Sequence, residues 1–234
     1  MSEIIEALAT DRVLPVIVLA DAEQAAPLGE ALLAGGLRGA EITFRTDAAE
    51  AAIRILCGKT DLLVGAGTVL TPEQVDRAVD AGARFVVTPG FGPAVVKRCQ
   101  ELGVPVFPGV ATATEIQMAL DAGLDVVKFF PAEQLGGAAM VKALAAPFRS
   151  VRFIPTGGVT TANLAGYLAL PAVLAVGGTW MVAPDLLSSG DWAEVTRRAA
   201  TAASLGSSGA GATAASLGSS GAGAGAARAA RRED

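Results

Sequence analysis

The chain has 234 residues, 52% of them hydrophobic, and a formal net charge of −5. This length supports one large core or two smaller ones, and the acidic balance argues against general affinity for nucleic acid or anionic membranes. Histidine is absent, which excludes Ser-His and Cys-His nucleophile pairs and histidine-ligated metal sites. Acid–base chemistry would therefore depend on carboxylates, lysine, tyrosine or water.

The sequence carries no recognisable targeting or membrane signal. Its first residues lack the basic and apolar segments of a signal peptide, and no later apolar run resembles a membrane span. Cys57 and Cys99 lie in helix-like segments without metal-type spacing, so reduced, buried thiols are the simplest interpretation. We therefore expect a cytoplasmic protein that binds no metal, nucleic acid or membrane.

An amphipathic helix is predicted over residues 3–10, after which strand and helix patterns alternate eight times. The predicted strands are residues 13–19, 40–44, 62–66, 84–88, 104–107, 126–130, 152–156 and 173–176. Helix starts are indicated by the cap-type residues Asp21, Asp47, Thr71, Thr112 and Thr160, and left-handed helix ends by Gly35, Gly82, Gly103 and Gly123.

Eight strand–helix units predict an α/β domain over residues 1–200, a single closed (β/α)8 (TIM) barrel. An open doubly wound sheet is the alternative, but it needs a glycine fingerprint after its first strand to bind a dinucleotide. The first predicted strand is followed by Ala20-Asp21-Ala22-Glu23, without glycine. The barrel is therefore favoured.

The composition changes at residue 201. Residues 201–212 read TAASLGSSGAGA and residues 213–224 repeat them letter for letter. So much alanine, glycine and serine buries too little surface to offset ordering entropy. Residues 201–234 are therefore predicted to form a low-complexity, flexible C-terminal tail that ends in a charged cluster at 228–234.

Lys128 lies in the apolar run Val126-Val127-Lys128-Phe129-Phe130, which is typical of a strand buried on both faces. An ammonium buried without a partner is costly, which favours the neutral amine. A neutral amine attacks carbonyl carbon to form a Schiff base. An ordinary ion pair with a carboxylate at the strand end is the alternative, and this stretch alone leaves both open.

Polar residues converge near the ends of several predicted strands. Glu41, Thr43 and Arg45 share one strand face, Lys128 and Phe130 share another, and Thr68 and Thr156 lie at strand ends. Barrel active sites form at the carboxyl ends of the strands. A carboxylate, a guanidinium, an amine and hydroxyls facing one cavity predict a catalytic site.

Two glycine pairs predict an anion site beside it. Gly157-Gly158 follows the seventh predicted strand, and Gly177-Gly178 follows the eighth. In barrels, the loops after these two strands commonly bind phosphate through backbone N–H groups. A single glycine pair also suits a tight turn, but two in the expected loops favour phosphate.

Eight short motifs occur in order over residues 1–200. They are Leu14-Pro15-Val16-Ile17, Glu41-Ile42-Thr43-Phe44-Arg45-Thr46, Gly65-Ala66-Gly67-Thr68-Val69, Thr88-Pro89-Gly90, Pro108-Gly109-Val110, Lys128-Phe129-Phe130-Pro131-Ala132-Glu133, Pro155-Thr156-Gly157-Gly158 and Gly177-Gly178-Thr179-Trp180. The series resembles the bacterial 2-keto-3-deoxy-6-phosphogluconate (KDPG) aldolases, also called 4-hydroxy-2-oxoglutarate (KHG) aldolases.

This resemblance implies a class I aldolase that acts on a small 2-keto acid, without a cofactor or metal, and forms a homotrimer. It implies Lys128 as the Schiff-base lysine and Glu41 as the general acid/base. Around the pyruvate end of the substrate it implies Arg45, Thr68, Pro89 and Phe130; around the phosphate it implies Thr156, Gly157, Gly158, Gly177, Gly178 and Thr179. Relatives often carry serine in place of Thr179, and residues 90–93 depart from the longer polar side chains that are commoner there.

The implied reaction is reversible cleavage of KDPG to pyruvate and glyceraldehyde 3-phosphate, within sugar-acid (Entner-Doudoroff) catabolism. Three alternatives stay open. One is KHG cleavage to pyruvate and glyoxylate, which needs no phosphate. The second is a phosphate-binding barrel synthase or isomerase, which would not need Lys128. The third is a non-catalytic trimeric barrel that serves as a scaffold.

Overall fold

The computed structural model describes residues 2–218. The strands in this range are β1 (Val13–Ile17), β2 (Gly39–Thr43), β3 (Leu63–Gly67), β4 (Phe85–Val87), β5 (Val106–Phe107), β6 (Gly109–Val110), β7 (Val126–Phe129), β8 (Arg152–Pro155) and β9 (Val176–Gly178). The helices are α1 (Ser2–Asp11), α2 (Ala25–Ala34), α3 (Ala49–Lys59), α4 (Pro72–Asp80), α5 (Pro93–Glu101), α6 (Ala113–Asp121), α7 (Gly137–Ala145), α8 (Leu164–Leu168), α9 (Pro184–Ser189) and α10 (Trp192–Gly218).

The strands pair in parallel and fall into two sheets. One has six strands in the order β5-β4-β3-β2-β1-β9, and the other has three in the order β6-β7-β8. The predicted α/β architecture with parallel strands is confirmed. A continuous closed barrel is not confirmed, because the ladders of the two sheets are separate.

Both junctions between the sheets have a local explanation. β5 and β6 are separated only by Pro108, which has no N–H to donate to a ladder. Thr88 spans this break, since its Oγ1 accepts a hydrogen bond from Gly109 N at 3.2 Å. At the other junction, two isolated bridges join Phe153 to Val173 and Thr156 to Gly177. The last strand, β9, covers Val176–Gly178 and so begins later than the strand predicted at 173–176.

Every residue of β1, β2 and β7 is buried, as expected for parallel strands covered on both faces. A small apolar cluster combines α1 with strands of both sheets; its members include Ile4, Leu8, Leu14, Phe85, Phe107, Val126 and Ile154. Side chains two residues apart share a strand face. Lys128 comes two residues after Val126 on β7. It therefore faces inward as Val126 does, one layer closer to the carboxyl ends of the strands.

The predicted helix ends are partly confirmed. Thr71 accepts a hydrogen bond from Gln74 N at the start of α4, Thr112 and Glu115 form a capping box on α6, and Asp21 caps a short 3-10 turn. Gly82, Gly103 and Gly123 have the predicted positive φ angles. The caps predicted at Asp47 and Thr160 are wrong, because α3 and α8 begin after Ala48 and Asn163.

Gly35 has a different role from the predicted left-handed helix end. Its φ is −81°, and the left-handed residue is Gly36, with φ 83°. A Cβ at Gly35 would meet Ala199 of α10. Glycine at this position therefore allows α10 to pack closely against the end of α2.

α10 corrects the start of the predicted tail, because it continues from Trp192 through residue 201 to Gly218. Ala202 is fully buried, and a Cβ at Gly206 would meet the carbonyl oxygen of Asp11. Alanine has the highest helix propensity, and burial against the domain adds to it. The first repeat thus begins inside the folded domain, while the charged cluster at 228–234 lies outside the described residues.

No helix among residues 2–218 is long and apolar enough to cross a membrane.

Candidate active site

A cavity of about 430 Å³ opens where the strands end. Eleven of the residues predicted for the site line it: Lys128, Arg45, Thr68, Pro89, Phe130, Thr156, Gly157, Gly158, Gly177, Gly178 and Thr179. Val16, Thr43 and Val159 complete the lining. Of these three, Thr43 was expected at the cavity, because it shares the strand face of Glu41 and Arg45, while Val16 and Val159 were not predicted.

Lys128 is 4% exposed, and its Nζ lies 3.3 Å from Oε1 of Glu41. The same nitrogen lies 5.3 Å from the centre of the Phe130 ring. Both alternatives for this lysine therefore have a structural counterpart: it pairs with a carboxylate, and it borders a cavity. A ligand in the cavity can therefore reach the amine, which has a carboxylate beside it.

Glu41 is 1% exposed and lies beneath the cavity rather than in its lining. A Cβ at Gly67 of β3 would meet its carboxylate. Glycine at position 67 therefore makes room for the Glu41 side chain over the neighbouring strand. The carboxylate can exchange protons with Lys128 without direct access to solvent.

The loops after β3 and β4 contribute Thr68 and Pro89 to the cavity lining. Thr68 has φ 54°, a left-handed conformation that is strained for a β-branched residue and that clusters at functional sites. Thr88 holds the backbone around Pro89, because its Oγ1 donates to Gly90 O at 2.7 Å and accepts from Gly109 N. A Cβ at Gly109 would meet the Pro89 carbonyl.

The loops after β8 and β9 bring backbone rather than charge to the cavity. Gly157 and Gly158 have φ 99° and 76°, which glycine adopts without strain. A Cβ at Gly177 would meet Thr156, and one at Gly178 would meet the Trp180 ring. The lining residues from these loops include no lysine or arginine, so an anion here would be bound by N–H and hydroxyl groups.

Tyr167 is connected to the first of these loops through Glu133. Its hydroxyl donates a hydrogen bond to Oε1 of Glu133, and the backbone N–H of Glu133 donates one to Gly157 O. Burial raises the pKa of Tyr167 well above its ordinary value of 10.0, and the Glu133 carboxylate raises it further. Tyr167 therefore stays protonated and keeps its donor at neutral pH.

The described part of the chain has no group of three His, Cys, Asp or Glu side chains that could hold a metal ion.

Comparison with known proteins identifies the family. A model of KDPG and KHG aldolases matches residues 4–198. The chain belongs to the KDPG and KHG aldolase family. A 2-dehydro-3-deoxy-phosphogluconate aldolase of Treponema pallidum is 55% identical over 197 residues, which are 84% of this chain and 94% of that protein.

Two solved aldolases share the fold. The KDPG aldolase of Legionella pneumophila, with pyruvate captured at low pH as a covalent carbinolamine, has a TM-score of 0.82 at 40% identity and covers 85% of this chain and 97% of its own. The enzyme of Zymomonas mobilis with 3-phosphoglycerate also has a TM-score of 0.82, at 41% identity, and covers 88% and 97%. The chain is therefore an aldolase by family, and the roles of its individual residues stay predictions.

Proposed function

We propose that this protein is a class I aldolase that cleaves KDPG reversibly into pyruvate and glyceraldehyde 3-phosphate. The observation that carries the proposal is Lys128, which borders the cavity while a buried carboxylate lies 3.3 Å from its nitrogen. A scaffold would have no use for a buried pair of this kind. A barrel synthase or isomerase would not need the amine.

The reaction begins when Glu41 accepts the proton of the Lys128 ammonium. The free amine adds to the C2 ketone of the substrate and gives a carbinolamine. Glu41 returns a proton to the departing hydroxyl, and loss of water leaves a protonated imine. Positioned proton transfer of this kind contributes about 10²–10⁴-fold in rate.

The protonated imine then serves as the electron sink. Glu41, directly or through a water, takes the proton of the C4 hydroxyl, and the C3–C4 bond breaks. Its electron pair forms an enamine on Lys128 while the aldehyde leaves. Protonation of the enamine at C3 and hydrolysis of the imine by one water release pyruvate and restore the amine.

Arg45 and Thr68 would bind the keto-acid carboxylate, and Pro89 and Phe130 would enclose the pyruvate unit. A guanidinium is well suited to this role, because its planar donors match a carboxylate. Thr156, Thr179 and the glycine pairs after β8 and β9 would bind the phosphate, since strand-end loops of this kind present backbone N–H groups to anions.

Phosphate-free KHG is the second candidate substrate, because the matching family contains enzymes named for both. Two glycine pairs in the cavity lining favour the phosphorylated substrate. We also propose that the two sheets close into one barrel, since strands of both sheets contribute to one apolar cluster. On the family resemblance, we propose a cytoplasmic homotrimer.

The test is to measure pyruvate release from KDPG and from KHG, with the wild type and with Lys128→Met, which keeps the length of the side chain without its amine. We expect kcat/KM to be higher for KDPG and turnover to be lost in the variant. Full turnover in a folded Lys128→Met protein would exclude the Schiff-base mechanism. Higher kcat/KM for KHG would reassign the substrate.

A further inference from the structure

The loop of residues 157–160, whose first three residues line the cavity after β8, is held by hydrogen bonds at several of its backbone groups. Gly157 O accepts a hydrogen bond from Glu133 N at 3.1 Å. Gly158 O accepts one from Asn163 Nδ2, also at 3.1 Å. Asn163 makes a second bond to the same segment, because its Oδ1 accepts from Thr160 N at 2.8 Å. One side chain thus clamps the loop at two points.

Asn163 directs both ends of its amide to the loop rather than to its own helix. It is the residue just before α8, where asparagine commonly caps the first turn through its side chain. Here the side chain makes no capping bond to α8. Asn163 therefore does not stabilise α8 as a capping side chain would, and both of its side-chain hydrogen bonds go to the loop.

The clamp fixes the direction of the opposite groups. In a trans peptide unit the N–H points away from the C=O of the preceding residue. Neither donor residue, Glu133 or Asn163, lines the cavity, whereas Gly157, Gly158 and Val159 do. The N–H groups of Gly158 and Val159 lie opposite the two bonded carbonyls, and neither donates a hydrogen bond within the described residues.

We infer that Asn163 is a positioning residue that selects phosphorylated substrates. It holds the carbonyl of Gly158, so that the N–H of Val159 stays directed at a phosphate in the cavity. The inference rests on the proposed function, in which the loop binds the substrate phosphate. Asn163 does not touch the substrate, and its effect passes through the loop.

Asn163→Ala removes both hydrogen bonds and leaves Lys128, Glu41 and Arg45 in place. We expect KM for KDPG to rise about tenfold, the size of effect that one or two lost hydrogen bonds produce, with kcat nearly unchanged. The kcat/KM for KHG, which has no phosphate, should stay unchanged. The constant for competitive inhibition by inorganic phosphate, measured with KHG as substrate, should rise by the same factor as KM.

Gln100→Ala is the matched control. Gln100 donates an exposed side-chain amide bond to Ala122 O at 2.8 Å, and it does not line the cavity. Its removal should change no kinetic constant. Asn163→Asp is the second variant, because it keeps an acceptor for Thr160 N and loses the donor to Gly158 O. Asn163→Asp should weaken phosphate inhibition as Asn163→Ala does. If thermal unfolding shows that the alanine variant is poorly folded, the aspartate variant provides the test instead.

The outcomes separate this inference from the proposed function. If both substrates lose kcat/KM equally in folded Asn163 variants, Asn163 is merely structural and the inference is overturned. An unchanged ratio between KDPG and KHG overturns it as well. If instead the wild type neither prefers KDPG nor is inhibited by phosphate, the phosphorylated substrate itself is wrong, whatever the variants do.

Discussion

Glu41 and Lys128 are withdrawn from water almost completely, with side-chain exposures of 2% and 5%. Removing two ions from water costs several kcal/mol per ion, and their mutual attraction does not reliably exceed that cost. Two apolar side chains would fill the same volume at no such cost. Stability alone therefore does not explain the pair, which is consistent with the proton transfer proposed for it.

Because each ion compensates the charge of the other, the losses in the free energy of unfolding from removing each one should not be additive. Lys128→Met leaves a buried carboxylate without its cation, so we expect a loss of about 3–5 kcal/mol in the free energy of unfolding at pH 7. Glu41→Gln added to Lys128→Met should restore much of it, because the remaining buried group is then neutral. Urea denaturation of the wild type, of Lys128→Met, of Glu41→Gln and of the double variant measures these free energies. Additive losses would mean that the two side chains do not interact.

Gly67 offers a test of Glu41 that leaves the carboxylate intact. In Gly67→Ala the new Cβ would meet the Glu41 carboxylate, so the acid must move away from its place beside Lys128. We expect kcat to fall about 10²-fold, as for a misplaced catalytic group. Turnover assays on the folded protein check this.

The control for Gly67→Ala is Gly58→Ala, at an exposed position of α3 where a Cβ meets nothing within 4 Å. It should keep wild-type turnover and gain up to about 1 kcal/mol in stability, because alanine has the higher helix propensity. Wild-type kcat in Gly67→Ala would show that the position of Glu41 is unimportant.

At the scale of elements, Tyr167 of α8 connects to the loop after β7 through Glu133, and it is the only tyrosine in the chain. Since burial raises its pKa in the folded protein, the folded state keeps the proton to higher pH than the unfolded state. The free energy of unfolding should therefore fall as pH rises above the ordinary value, about 10. Tyr167→Phe should remove this part of the alkaline dependence.

Tyrosinate absorbance measures the same effect directly, because a single tyrosine contributes to it. In the folded protein tyrosinate should form only above the pH at which it forms in urea. Coincident titrations of the folded and unfolded chain would contradict the position of Tyr167 beside Glu133.

Apolar runs predicted the existence of most elements but not their limits. Residues 173–176 read as a strand, yet pairing with β1 begins at Val176, because register is set by neighbouring strands that a local pattern does not contain. The short strand β6 after Pro108 was not predicted, because two residues are too few to show a pattern. The extent of α10 was missed, because composition alone does not reveal that Ala202 becomes buried.

At the scale of the whole molecule, eleven of the predicted residues line one cavity. Strand alternation, strand ends and the glycine pairs predicted nine of them, and the family resemblance alone predicted Pro89 and Thr179. Strands that end at one rim place their last inward side chains together, whatever their separation in sequence. The contact between Glu41 and Lys128 joins residues 87 positions apart. Its distance depends on Gly67 of a third strand, and no sequence pattern provides that.

The most direct test of the central claim is to incubate the protein with pyruvate, reduce it with borohydride and locate the modified residue by mass spectrometry. A Schiff base on Lys128 predicts one pyruvate-derived secondary amine, in the peptide that contains this residue, and none in Lys128→Met. Labelling confined to the chain's other lysines, Lys59, Lys97 and Lys142, or no labelling of the wild type, would contradict the account.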